Sequence, residues 1–241
     1  MVTHRIAPVK SIIIESATEK CSVAVADGDQ LLSFVLAEAP HQHASHLTVY
    51  AQRALREAGL RLIDIEVVAL GHGPGSFTGL RVGAAVAKGF CLALPKLKFL
   101  TIDSPLALTK HLKSRVGKSE NKEIYLPTVN SRRGEVYAQA YLTNGETIGE
   151  LRSEVLNEAA FPEIQADVTV HVGGSGTNKV AELMAGDPRD FRFHPEIMAT
   201  ADILLPLVSA KIATGAFEDY ASYEPLYLKP PFVTKSTKKL L

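Results

Sequence analysis

VVALGHGPGSFTGLRVGAAVAKGFCLAL, residues 67–94, is the stretch whose reading decides the fold. Val67–Leu70 is a short apolar run containing two β-branched residues, which suits a buried strand. Gly71-His72-Gly73-Pro74-Gly75 follows, a turn that neither a helix nor a strand accommodates. From Ser76 to Leu94 the pattern is helical. Gly75, Gly79, Gly83 and Ala87 recur every four residues and therefore stack on one side of that helix. Two interior glycines weaken a helix by roughly 1 kcal/mol each relative to alanine. Such a stripe predicts the close approach of another backbone, either an internal element of this chain or a helix of a second chain.

The turn does not carry a known phosphate-loop pattern. Ser76 and Thr78 stand where the last glycine of G-x-G-x-x-G would be, and no Gly-Lys-Ser/Thr follows at Walker spacing. Gly117-Lys118-Ser119 has Leu112 in place of the first Walker glycine. What remains is the generic capacity of a helix N-terminus to hold an anion.

Upstream, Ser11–Glu15, Cys21–Ala26 and Gln30–Leu36 read as three antiparallel strands, with a hairpin at Asp27-Gly28-Asp29. His43–Ala58 reads as a helix closed by Gly59, with Leu47, Tyr50, Ala51, Ala54 and Leu55 on one face. Downstream, Phe99–Ile102 reads as a strand and Ser104–Lys113 as a helix with Ser104 as its cap. The polar stretch 114–122 marks a boundary, predicting lobes over 1–113 and 114–241. The pattern then restarts. Strands are expected at Ile124–Val129, Val136–Leu142, Thr147–Leu151, Val168–Val172 and Phe191–His194. Helices are expected around Leu156–Gln165 and over Thr177–Met184 and Thr200–Gly215. The tail from Tyr223 reads as extended or disordered. Two three-stranded meanders, each followed by αβ units, predict an α/β class and a duplicated ribonuclease H-like, actin-like architecture.

Composition narrows the function. Of 241 residues 46% are apolar, so a substantial core is available. Lysine plus arginine (26) equals aspartate plus glutamate (26), which argues against a chain that holds nucleic acid by charge alone. Cys21 and Cys91 have no metal or redox spacing and read as buried apolar residues of a reducing compartment. Neither a signal peptide nor a membrane span is visible, so the expectation is a soluble cytoplasmic protein.

Candidate chemistry is sparse. His41, His43 and His46 cluster at a helix entry, but no third ligand has suitable spacing. Glu15 closes the first strand at a hairpin mouth, where actin-like enzymes keep a carboxylate for magnesium and phosphate. Ser16, Thr18 and Ser22 are polar neighbours that suit phosphate or an ordinary turn. Arg132, Arg133 and Glu135 beside Tyr137 form a second polar cluster at a hairpin. Gly173-Gly174-Ser175-Gly176 is a second turn with anion-binding character. No G-x-S-x-G elbow is present, and no nucleophile–base pair can be assembled.

Four stretches together resemble the TsaB family, formerly YeaZ: Ile13–Val25 (IIESATEKCSVAV), Gly71–Gly83 (GHGPGSFTGLRVG), Asn130–Tyr137 (NSRRGEVY) and Pro225–Lys229 (PLYLK). Their order and separations also fit, and GPGSFTGLR is specific by itself. The resemblance implies a duplicated actin-like fold and a role in forming threonylcarbamoyladenosine next to the anticodon of ANN-decoding tRNAs. It implies that catalysis and metal belong to a paralogue, TsaD, with this chain as platform and the ATPase TsaE joining the assembly. The two histidines four apart that ligate the TsaD metal have no counterpart here, since no His-x-x-x-His occurs. The resemblance therefore implies no catalytic residue, cofactor or metal on this chain, and tRNA contact through the complex only. It implies a partner surface on the first two helices, comprising His46, Tyr50, Arg53, Phe77, Gly79, Arg81, Gly83 and Ala87. The glycine stripe is then expected to face TsaD, or a second copy of this chain in isolation. The family commonly has Asp where this chain has Glu15 and Asn130, which argues against autonomous nucleotide or magnesium binding. A metallopeptidase reading needs a metal or nucleophile that is not found. An actin-like sugar kinase needs an acidic hairpin residue, a catalytic Asp and phosphate loops, of which only fragments are present.

Overall fold

A computed structural model describes residues 8–40, 43–116, 122–165 and 167–230. The first sheet is built from β1 (Lys10–Glu15), β2 (Ser22–Asp27), β3 (Gln30–Leu36), β4 (Val67–Gly71) and β5 (Lys98–Ile102), in the order β3-β2-β1-β4-β5. β1–β2 and β2–β3 are antiparallel, while β4 runs parallel to both β1 and β5. The second sheet contains β6 (Glu123–Asn130), β7 (Glu135–Leu142), β8 (Thr147–Val155), β9 (Thr169–Gly173) and β10 (Asp190–His194). Its order is β10-β9-β6-β7-β8, again with a three-stranded meander and two parallel strands. The duplicated architecture read from the alternating patterns is thus present strand for strand.

Five helices cover the sheets: α1 (His43–Glu57), α2 (Phe77–Ala93), α3 (Ser104–Val116), α4 (Thr177–Leu183) and α5 (Ala201–Thr214). α1 and α2 cover one face of the first sheet, placing Leu47, Ala54, Ala87 and Cys91 against Ile12, Ile14, Val23 and Val68. The opposite face, with Ile13, Ala24, Ala69 and Leu100, is covered by Leu204, Leu205 and Val208 of α5. α3 turns Leu108 and Leu112 toward Tyr125 and Tyr141 of the second sheet. The lobes therefore exchange helices. The boundary drawn after residue 113 separates the two sheets but not two units of packing, because α5 covers the sheet of the other half.

Three local expectations are corrected. Leu156–Gln165 forms no helix. Its apolar residues fall near helical spacing, but Phe161 has φ +56° and Pro162 lacks an amide. Leu156, Ala160, Phe161 and Ile164 reach the second core from irregular backbone, held by Arg189 donating to the carbonyls of Ala160 and Phe161. The N-terminus of α3 is capped by Asp103, whose Oδ1 accepts the Leu106 amide at 2.8 Å, rather than by Ser104. The tail from Tyr223 to Pro230 is extended, as expected, but anchored: Tyr223 packs on Phe99 and Tyr227 on Phe77, with centroids 5.2 and 4.9 Å apart. Lys235–Lys239 lies outside the described residues.

Candidate functional site: the outer helices and the cleft between the lobes

The glycine stripe is explained from within the chain. Gly79, Gly83 and Ala87 are all buried. A Cβ at Gly83 would lie 2.1 Å from Ser16 Oγ and 3.2 Å from Leu70 Cδ1. The backbone approaching α2 is therefore the end of β1 and its own β4, which corrects the expectation that these three residues face a second chain. The row that faces outward is Arg81, Ala85, Gly89 and Leu92, of which Leu92 is 73% exposed. Beside it, α1 exposes Val49 and Arg53, while Tyr50 is buried. His46 stacks on Tyr50 with centroids 5.9 Å apart. Arg53 pairs with Glu57 at 2.8 Å and Glu38 at 3.4 Å. The guanidinium of Arg81 sits 5.2 Å from the ring centroid of Phe77, which itself packs on Tyr227.

Of the eight residues expected at a partner surface, His46, Arg53, Phe77 and Arg81 retain accessible surface on two adjacent helices. Tyr50, Gly79, Gly83 and Ala87 point inward. Sequence reasoning missed Val49, Ala85, Gly89, Leu92 and Tyr227. Ala85 and Gly89 continue a second four-residue row from Arg81, and spacing alone does not say which row faces the core. Of the histidine cluster, only the His46 side chain falls within the described residues.

The cleft has been filled by the protein's own groups. Glu15 is fully buried; its Oε2 accepts from Ser104 Oγ at 2.6 Å and its Oε1 from the Ala17 amide at 2.8 Å. It is a polar pin between β1 and α3, not a carboxylate presented to a metal or phosphate. Ser22 Oγ accepts the Ala201 amide of α5, and Thr18 Oγ1 donates to the Lys20 carbonyl. In the second lobe, Ser175 Oγ accepts the Asn130 amide and Thr177 Oγ1 donates to the Gly174 carbonyl. The Gly173–Gly176 turn thus turns its polar atoms toward its own lobe. A cavity of about 350 Å³ remains between Thr18–Lys20 and Ser175–Asn178. At the opposite mouth the second polar cluster anchors the strap: Lys229 pairs with Glu135, and Arg132 donates to the Pro230 carbonyl at 3.0 Å. Among the described residues there is no group of three metal-ligating side chains and no helix long and apolar enough to cross a membrane.

Burial pushes the Glu15 carboxyl above the ordinary range, outweighing the hydrogen bonds that favour its charged form. A raised native pKa stabilises the fold below the unfolded value, about 4.3, and that contribution is lost as pH rises through the native value. Glu15→Gln is therefore expected to gain stability relative to the parent as pH rises from about 4 to 8. Urea unfolding at both values measures this, and a difference independent of pH contradicts it.

Three comparisons bear on this arrangement. The family described as TsaD, tRNA N6-adenosine threonylcarbamoyltransferase, matches residues 35–211. The chain is 29% identical over 226 residues to the tRNA threonylcarbamoyladenosine biosynthesis protein TsaB of Escherichia coli (strain K12), covering 90% of this chain and 94% of that one. It is 31% identical over 131 residues to the protein of the same name from Haemophilus influenzae, covering 52% and 51% respectively. Its fold is similar to that of YeaZ from Pseudomonas aeruginosa, with a TM-score of 0.74 and 24% identity over 91% of this chain and 100% of that one.

Proposed function

Since the chain belongs to the tRNA N6-adenosine threonylcarbamoyltransferase family, in its TsaB (YeaZ) branch, we propose that it acts as a non-catalytic platform for a TsaD paralogue in making threonylcarbamoyladenosine on tRNA. The observation that carries this reading is the outward face of α1 and α2. Arg81, Ala85, Gly89 and Leu92 form one row, and Val49 adds exposed apolar surface from the neighbouring helix. Small residues in the middle of such a row let a second helix approach closely, and Leu92 is an apolar anchor at its end. His46, Arg53 and Phe77 rim the same face. Glu15, sealed between β1 and α3, favours the platform reading over the kinase alternative. The TsaE ATPase would join through the heterodimer, and tRNA would be held by the complex rather than by this chain of zero net charge. In isolation a second copy would use the same face, so homodimer and heterodimer would compete.

The test places charge and bulk on that face. The double variant Ala85→Arg, Leu92→Glu is expected to weaken association with TsaD by roughly a hundredfold, about 2.7 kcal/mol. Its unfolding free energy should stay within about 0.5 kcal/mol of the parent, because both positions are exposed. Co-purification and a tRNA modification assay with the complete complex read the two consequences together. Unchanged association and modification would move the partner surface elsewhere.

A further inference from the structure

The side of the second sheet that faces α3 carries a polar ladder away from the cleft and the outer helices. Glu123 and Tyr125 lie on β6, Thr169 and His171 on β9, and Arg192 and His194 on β10. The register pairs Thr169 with Glu123, and Arg192 with His171. Since side chains alternate along a strand, these residues share one side, with Ile124, Val170, Val172, Phe191 and Phe193 on the other. His171 stacks on Tyr125, centroids 5.5 Å apart. The side chains of Glu123, His171 and His194 are 7%, 10% and 22% exposed.

The ring nitrogens divide into an outer and an inner pair. The outer nitrogen of His171, Nε2, stands 3.3 Å from Glu123 Oε1, and that carboxylate also accepts from Tyr125 Oη at 2.9 Å. The outer nitrogen of His194, Nδ1, faces Glu196 Oε1 at 4.0 Å. A carboxylate behind a ring nitrogen favours a proton there and leaves the other nitrogen with its lone pair. The inner nitrogens, His171 Nδ1 and His194 Nε2, are 3.1 Å apart. Two lone pairs at that distance need a cation between them, either a proton or a metal ion. Two nitrogens held about 2.0–2.1 Å from one tetrahedral zinc stand roughly 3.3 Å apart, close to the observed spacing. A cavity of about 340 Å³, bounded also by Arg115, Thr169 and Arg192, opens beside the rings.

We propose that His171 Nδ1 and His194 Nε2 form a binding site for a divalent transition-metal ion of the zinc type, with Glu123 and Glu196 backing the outer nitrogens and water filling the remaining positions. Two protein ligands make a weaker site than a closed structural one. The site is expected to empty during purification and to fill from added metal, which is compatible with a chain that carries no tightly held ion.

The experiment uses the full chain after treatment with a chelator. Zinc is titrated by calorimetry, while the imidazole nitrogens are followed by long-range proton–nitrogen NMR. One saturable site is expected, with His171 Nδ1 and His194 Nε2 as the nitrogens whose shifts move. His171→Gln or His194→Gln should lower zinc affinity roughly tenfold or more, and Glu123→Gln roughly tenfold to a hundredfold through the outer nitrogen. Absence of saturable binding, shifts confined to other histidines, or full affinity in the double His171→Gln, His194→Gln variant would overturn the site. The NMR arm uses the unsubstituted chain, so it decides the matter even where a variant does not fold.

Discussion

Gly83→Leu is expected to unfold the chain rather than merely detach a partner. A Cβ at residue 83 already falls 2.1 Å from Ser16 Oγ and 3.2 Å from Leu70 Cδ1. Ser16 cannot give way freely, because it is fully buried at the end of β1. Leucine adds three further carbons in the same direction, and the only relief is to lift α2 off the sheet. Overpacking of this kind costs typically 1–3 kcal/mol; with backbone displacement we expect about 4 kcal/mol, much of a total stability of roughly 5–15 kcal/mol. The control lies two turns along the helix. A Cβ at Gly89 meets nothing within 4 Å, so Gly89→Ala should stabilise the chain by up to about 1 kcal/mol through helix propensity. Denaturant unfolding of both variants reads the contrast. A Gly83→Leu chain as stable as the parent would return the stripe to the surface.

The second large effect belongs to the other lobe. Gly174 has φ +98°, and a Cβ there would lie 2.1 Å from the carbonyl oxygen of Thr128. The obstacle is backbone in the middle of the second sheet, beside the bond from Thr128 Oγ1 to the Gly173 carbonyl. Gly174→Ala is therefore expected to cost about 3 kcal/mol or more, combining a disfavoured backbone angle with a clash that no rotamer relieves. Gly186→Ala separates the two causes. Gly186 has φ +89° but open space around it, so its loss should be only the backbone term, about 1 kcal/mol. Equal losses at the two positions would mean that Thr128 yields.

The contrast between the two glycine rows of α2 shows what was legible in the sequence. Spacing established that small residues stack, because helix geometry alone decides that. It did not establish the direction in which they point, since Gly79-Gly83-Ala87 and Arg81-Ala85-Gly89 are both rows of four-residue spacing. The direction is set by β1 and Ser16, more than sixty residues away. The strands were legible because alternation and β-branching are local properties, and both sheets follow them. The segment Leu156–Gln165 was not, since its apolar residues serve a core through irregular backbone that one proline and one positive φ impose. Glu15 was visible as an acidic strand end, but its burial depends on Ser104, 89 residues later. The Glu123–His171–His194 set was invisible for the same reason: parallel crossovers assemble it from three strands.

The exchange of helices between the lobes has a consequence for how the polypeptide is made. All five strands of the first sheet have left the ribosome soon after Ile102 emerges, yet one face of that sheet stays bare. Ile13, Ala24, Ala69 and Leu100 wait for Leu204, Leu205 and Val208, which are translated about a hundred residues later. During that interval the nascent N-terminal half presents an apolar sheet face to the cytosol, the kind of surface that trigger-type chaperones shield. Synthesis is then completed by the element that closes the portion made first.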